Sequence, residues 1–269
     1  MTSVALIQLD VSSAEPVDSR CARALDMVAQ AATRADLIVL PELWHVGAFD
    51  IPAAKTDAIS LDGDLALRMS AAARAAGAWL HAGSFAELAV DGHLFNTSLV
   101  FDPAGERIAT YRKVHLFGFE SGEAAELSSG DELVCVSTPL GRTGLATCYD
   151  LRFPELFRAL TDEGADSFVI SSGWPMARLE HWKVLVRARA IENQAWVLAC
   201  NEVGLQGPVG DQIALGGCSQ VVSPAGDVVA CADDSESILI VEVDASAAEQ
   251  LRTSFPVLRD MRIHGSFTS

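Results

Sequence analysis

Cys148 stands where an apolar run ends and a polar, proline-containing stretch begins, in Gly144-Leu145-Ala146-Thr147-Cys148-Tyr149-Asp150-Leu151-Arg152-Phe153-Pro154-Glu155-Leu156. A cysteine at a strand-to-helix turn can aim its sulfur into a cleft, and the positive end of the helix favours the thiolate. That setting suits a nucleophile better than a core thiol. Two further islands end other strand-like runs: Leu40-Pro41-Glu42-Leu43 offers a carboxylate, and Tyr111-Arg112-Lys113-Val114-His115 an ammonium. Covalent attack on an unreactive amide or nitrile carbon needs a nucleophile, a base for its proton and a positive group for the oxyanion. Cys148, Glu42 and Lys113 can supply them in that order. Only a few per cent of an ordinary thiol is ionised at neutral pH; a nearby lysine raises that fraction, and a nearby glutamate accepts the proton directly.

Each residue also has a plainer reading. Glu42 follows an apolar strand, and Pro41 fixes the backbone before it. In a cleft with apolar walls its pKa would rise, as proton shuttling requires, but read alone it is also a surface carboxylate. Lys113 is enclosed by apolar and aromatic neighbours, which suits an oxyanion partner; read alone it is also a snorkelling surface lysine. His115 reads as structural. The histidines at 45, 81, 93, 115, 181 and 264 lack ligand spacing, so no metal is expected. There is no Walker loop, Gly-x-Gly-x-x-Gly or Gly-x-Ser-x-Gly, so no nucleotide cofactor or serine nucleophile is expected either.

Alternating strands and helices must hold these islands. Strands are predicted over 4–9, 36–40, 79–85, 94–101, 107–111, 133–137, 143–147, 167–171, 196–200, 213–222, 227–230 and 237–243. Helices are predicted over 17–33, 65–76, 154–163 and 178–192, with Asp244 capping a last one that reaches Arg252. Two Pro-Ala-Gly turns, Asp102 to Gly105 and Ser223 to Gly226, occupy similar strand-turn-strand settings and hint at two related halves. The pattern predicts packed sheets with helices outside. Gly118 to Asp131 is a long polar connection, and loops of that length are often functional.

The chain has 269 residues, half of them apolar, and a formal net charge of -17. The acidity argues against nucleic acid or an anionic membrane as partner. No apolar run approaches the ~20 residues of a membrane span. Met1-Thr2-Ser3 leads straight into Val4-Ala5-Leu6-Ile7-Gln8-Leu9 without a charged segment, so a cytoplasmic protein is expected. Cys21, Cys135, Cys148, Cys200, Cys218 and Cys231 form no Cys-x-x-Cys pair. All but Cys148 suit buried small hydrophobes, the strand-like Cys135, Cys200, Cys218 and Cys231 in particular.

Pro41-Glu42, Tyr111 to Phe117 and Thr147 to Glu155, in this order, resemble the nitrilase (carbon–nitrogen hydrolase) superfamily over residues 4 to about 243. The resemblance implies an α/β fold, a four-layer α-β-β-α sandwich in a single domain, with a C-terminal tail from about 244 to 269. It implies a Glu42-Lys113-Cys148 triad, no cofactor, and a homodimer or higher homo-oligomer. It also implies a second glutamate supporting the lysine. Glu123 fits best, seven residues before Gly130, with Glu120 and Glu126 as competitors. Trp174 to Trp182 and Ala188 to Gln194 are similar to bacterial ω-amidases, which hydrolyse the terminal amide of 2-oxoglutaramate and related compounds. In that reading the backbone N–H of Tyr149 joins Lys113 at the oxyanion. Trp174 lines the pocket, and Arg178 or Arg152 receives a substrate carboxylate, although Arg152 beside Asp150 and Glu155 reads more simply as a structural ion pair. Hydrolysis of N-carbamoyl amino acids or a deaminated-glutathione-type amide is the alternative within the family. A silent binding or redox-sensing protein is the alternative of another class.

Overall fold

In Val4-Ala5-Leu6-Ile7, Val4 and Leu6 join one buried apolar cluster and Ala5 and Ile7 another. Leu145 and Ala146 divide in the same way, as do Val169 and Ile170. Successive strand side chains point to opposite faces, so these strands belong to sheets covered on both sides.

The computed structural model describes residues 1–118, 122–207 and 210–262. The first half runs β1 (Thr2–Gln8), α1 (Val17–Ala32), β2 (Leu37–Val39), α2 (Ile51–Thr56), α3 (Asp64–Ala76), β3 (Trp79–Leu88), β4 (Leu94–Phe101), β5 (Arg107–Arg112) and α4 (Glu123–Glu126). The second runs β6 (Cys135–Thr138), β7 (Gly141–Thr147), α5 (Pro154–Asp162), β8 (Ser167–Ser171), α6 (Leu179–Asn193), β9 (Trp196–Cys200), β10 (Leu205–Gln206), β11 (Ile213–Ala214), β12 (Gln220–Val222), β13 (Val228–Cys231), β14 (Ser237–Val243) and α7 (Ala247–Ser254).

Among the described residues, two six-stranded sheets follow the orders β14-β1-β2-β3-β4-β5 and β13-β12-β9-β8-β7-β6. Three adjacent strands in each are parallel, β1-β2-β3 and β7-β8-β9, and antiparallel strands flank them. The two sheets therefore repeat one topology. The Pro-Ala-Gly turns join equivalent hairpins, β4–β5 and β12–β13, so the related halves hinted at by the sequence are present.

Three apolar layers hold the halves together. Ala24, Val28 and Ala31 of α1 and Met69 and Ala73 of α3 cover the outer face of the first sheet. Phe157 and Leu160 of α5 and Trp182, Val186 and Ala190 of α6 cover the second. Leu6, Val39, Val100, Leu145, Leu198 and Val221 fill the space between the sheets. The result is the expected α-β-β-α sandwich. None of the described helices is long and apolar enough to cross a membrane.

Some local expectations fail. The run predicted as one strand over 213–222 is broken, because Gly217 and Cys218 both adopt positive φ, +55° each. That turn lets Gly217 donate to the Glu202 carbonyl, leaving β11 and β12 separate. Asp244 does not cap the last helix. Its Oδ1 accepts from the backbone N–H and hydroxyl of Ser246, and Ser246 is the N-cap. Helix α2 was missed, although Asp50 caps it by accepting from Ala53 N–H and Pro52 lies in its first turn. Cys231 is exposed rather than buried.

Strand β3 carries a bulge between His81 and Ser84. Ser84 Oγ accepts from Leu43 N–H, and the Ala82 carbonyl accepts from the Trp44 indole. The bulge thus cradles the segment that carries Glu42. Gly83 within it has φ +69°, and a Cβ there would lie 2.1 Å from the Pro41 carbonyl oxygen. Gly83→Ala should therefore cost about 3 kcal/mol in urea denaturation. Gly77→Ala, with φ +60° but open space around it, should cost only about 1 kcal/mol. Equal costs would mean that the bulge yields freely.

Candidate active site

Glu42 follows β2, and Leu43 after it is in the left-handed region with φ 41°. This turn brings Glu42 back beneath the sheet end. Lys113 directly follows β5, where its N–H donates to the Asn96 carbonyl. Cys148 directly follows β7 with φ 46° and opens a 3-10 turn over Cys148–Arg152. A non-glycine residue held there costs roughly 1–3 kcal/mol, so its surroundings must enforce the conformation. Thr147 and Asp150 do so as a reciprocal capping box. Asp150 also ties this turn to the lysine island. Its Oδ2 accepts from the Tyr111 hydroxyl at 2.7 Å, and its Oδ1 accepts from His115 N–H at 3.0 Å. His115 Nδ1 contacts the same Oδ1 at 2.7 Å, and its ring stacks on Phe153 at 3.8 Å.

These turns assemble a buried trio of charges. Lys113 Nζ donates to Glu42 Oε1 at 2.7 Å and to Glu123 Oε2 at 2.6 Å. The three residues are only 1%, 1% and 3% exposed, so water does not screen them. Neutral donors complete the carboxylates. Asn96 Nδ2 donates to Glu42 Oε1 at 2.9 Å and to Glu123 Oε1 at 2.6 Å. Gly173 N–H donates to Glu42 Oε2, and Phe117 N–H to Glu123 Oε2. Such satisfaction is what makes buried ions tolerable. An ammonium has three protons; among the described residues two are engaged, which leaves one for the cleft.

The electrostatics are lopsided. Burial opposes the charge on Lys113, but Glu123 and Glu42 outweigh it and hold the ammonium well above the usual lysine range. Burial, reinforced by the Glu42 charge, raises the Glu123 carboxyl despite Lys113. Burial also pushes the Cys148 thiol well up; the adjacent Glu42 carboxylate adds to this, and Lys113 only partly opposes it. The sequence suggested a favoured thiolate. Burial and the Glu42 charge instead favour the neutral thiol over the thiolate.

Glu42, Lys113, Glu123, Cys148, Tyr149, Trp174 and Arg178 all line one cleft, together with Ala48, Phe49, Phe117, Arg152 and Pro175. Phe49, Phe117 and Tyr149 form a chain of edge-to-face contacts along it. Trp174 donates its indole N–H to the Arg178 carbonyl. Arg152 makes no ion pair with Asp150 or Glu155 among the described residues. Its guanidinium lies 4.8 Å over the Trp174 ring, because Asp150 is already occupied by Tyr111 and His115. Of the competitors for Glu123, Glu126 is exposed and pairs with Lys55, and Glu120 lies outside the described residues. No cluster of three or more His, Cys, Asp or Glu suited to a metal occurs among the described residues.

Several contributors were missed. Asn96 bridges both glutamates, and its signal was a polar Asn-Thr-Ser inside the otherwise apolar β4. Gly173 contributes a backbone donor that no side chain advertises. Glu202 is fully buried, its Oε1 has no partner among the described residues, and its Oε2 accepts from Gln206 at 3.3 Å. Gln206 in turn accepts from Phe49 N–H on the cleft wall. The space of a Cβ on Gly173 would lie 2.7 Å from Glu202 Oε2, so Glu202 backs the segment that holds Glu42.

Known proteins resemble this chain over nearly its whole length. A family model described as carbon-nitrogen hydrolase matches residues 3–253. The chain is 44% identical over 266 residues to a 2-oxoglutaramate amidase of Paenarthrobacter nicotinovorans, covering 96% of this chain and 89% of that protein. It is 35% identical over 262 residues to a 2-oxoglutaramate amidase of Bacillus subtilis (strain 168), covering 97% of each. A crystal structure of Saccharomyces cerevisiae Nit3, of branch 10 of the nitrilase superfamily, superposes with a TM-score of 0.84 at 30% identity, over 95% of this chain and 94% of that one. With its paired sheets, its buried lysine between glutamates and its turn-mounted cysteine, this chain belongs to the carbon–nitrogen hydrolase family of the nitrilase superfamily.

Proposed function

We propose that the protein hydrolyses the ω-amide of a small dicarboxylic acid derivative, 2-oxoglutaramate being the leading candidate, to ammonia and the free acid through a thioester on Cys148. Glu42 takes the thiol proton as sulfur attacks the amide carbon. The third Lys113 proton and the Tyr149 N–H, which has no partner within its own short helix, receive the developing oxyanion. Glu42 returns the proton to the leaving nitrogen, and ammonia departs. Water then attacks the thioester with Glu42 again as base; the carbon–sulfur bond breaks and the thiol is restored. Glu123 holds Lys113 in place. The observation that carries this reading is the Glu42–Lys113–Glu123 trio beside a protonated Cys148. A thiol that is neutral at rest needs its base in contact during attack.

Arg178 and Arg152 at the cleft, beside Trp174, support a substrate bearing a carboxylate at the end away from its amide. The relatives named as 2-oxoglutaramate amidases point the same way. The same reading treats residues 1–269 as one catalytic domain of a cytoplasmic homodimer that works without metal or organic cofactor.

Cys148→Ala should lower ammonia release from 2-oxoglutaramate roughly 10⁴-fold or more while leaving the circular dichroism spectrum unchanged. Substantial residual turnover would end the covalent scheme. Carbon dioxide released along with ammonia from an N-carbamoyl acid, at a higher kcat/KM than from the ω-amide, would shift the substrate to the carbamoyl class. Arg178→Ala should raise KM for the carboxylated amide about tenfold with a smaller change in kcat. An equal change for an uncharged amide would remove Arg178 from carboxylate recognition.

Burial, followed by the Glu42 charge, pushes the Glu202 carboxyl well above the usual carboxylate range. The folded chain then keeps a proton that the unfolded chain loses above about 4.5. Stability from this group is complete below that pH and declines as pH rises, until the folded carboxyl also ionises. Glu202→Gln removes the decline. Its denaturation midpoint should exceed that of the unaltered protein at about pH 8, and the difference should shrink toward pH 4. A pH-independent difference would mean that Glu202 is already ionised in the fold.

A further inference from the structure

Two thiols outside the catalytic cleft lie against each other. Cys218 Sγ and Cys231 Sγ are 2.8 Å apart. The ladder between β12 and the end of β13 fixes their separation. Gln220 pairs with Cys231, Ala232 N–H donates to the Ser219 carbonyl, and Cys218 N–H donates to the Asp233 carbonyl. Cys218 would ordinarily sit diagonally across the ladder, but its left-handed backbone, φ 55°, turns its side chain toward Cys231. A disulfide needs sulfurs about 2.0 Å apart on backbones already at the right span. Here a small side-chain rotation would suffice.

The two sulfurs are not alike. Cys231 is exposed, whereas Cys218 is 8% exposed and packs in the core with Trp182 and Val186. The hydrogen bond from Cys218 brings the Cys231 thiol down to about 7, and the Lys183 ammonium of α6 helps against partial burial. The same bond, with burial, holds the proton on Cys218. Cys148 differs on both counts, being buried and held protonated.

We propose that Cys231 and Cys218 form a second reactive thiol site, independent of the catalytic one, which reduces a hydroperoxide and closes as a reversible disulfide. Cys231 sulfur attacks the distal oxygen of the peroxide. The O–O bond breaks, the alcohol or water leaves, and Cys231 becomes a sulfenic acid. Cys218 sulfur then attacks the Cys231 sulfur. The S–O bond breaks, and hydroxide departs as water with the Cys218 proton. Two electrons pass from the thiol pair to the peroxide, and an external dithiol restores the pair.

One equivalent of hydrogen peroxide, followed by alkylation and peptide mapping, tests this without reference to amide turnover. The expected result is a linked peptide joining Cys218 to Cys231, reversed by dithiothreitol, with Cys148 still alkylatable after unfolding. Cys231→Ser should abolish the link and keep basal ammonia release. Cys218→Ser should instead leave a sulfenic acid on Cys231 that dimedone traps. Oxidation of Cys148 ahead of the pair, a link between two molecules, or no dimedone adduct in Cys218→Ser would overturn the proposal.

Discussion

A lysine ammonium wedged between two carboxylates, almost wholly buried, is the constraint that organises this molecule. None of the three charges would be stable there alone. Together they still carry an excess negative charge, which Asn96, Gly173 and Phe117 help to satisfy by donating to the carboxylates. The trio draws its members from the end of β2, the end of β5 and the short helix α4, and its neutral donors from β4 and the segment after β8. Elements of both sheets must meet at one end for it to exist.

The same trio governs the nucleophile. A carboxylate in the same cleft as the thiol disfavours the thiolate, even with an ammonium nearby. On the proposed scheme the proton leaves sulfur only as a carbon–sulfur bond forms. Such timing limits loss of the nucleophile to adventitious electrophiles, because reactivity follows thiolate character. It also sets Cys148 apart from Cys231, whose surroundings do the reverse.

Much of this was legible in the sequence. Pro41-Glu42, Lys113 among aromatic residues and Cys148 before Tyr149-Asp150 each marked a strand end, and the alternation of apolar runs marked sheets between helices. What escaped depended on three-dimensional satisfaction. Asn96 reads as a weak strand residue until its two glutamate partners are known. Gly173 donates through its backbone, which carries no side-chain signature. Arg152 has acidic neighbours in sequence yet stacks on Trp174, because Asp150 spends its oxygens on Tyr111 and His115. The break at Gly217 and Cys218 was signalled by a Gly-Gly pair, but apolar flanks masked it.

The repeated sheet topology has a mechanical consequence. Glu42 and Lys113 ride on one half of the sandwich and Cys148 on the other, joined mainly by the apolar seam of Leu6, Val39, Leu145 and Leu198. Where the halves meet, hydrogen bonds from Tyr111 and His115 to Asp150 and from Gly173 to Glu42 pin the gap between carboxylate and sulfur.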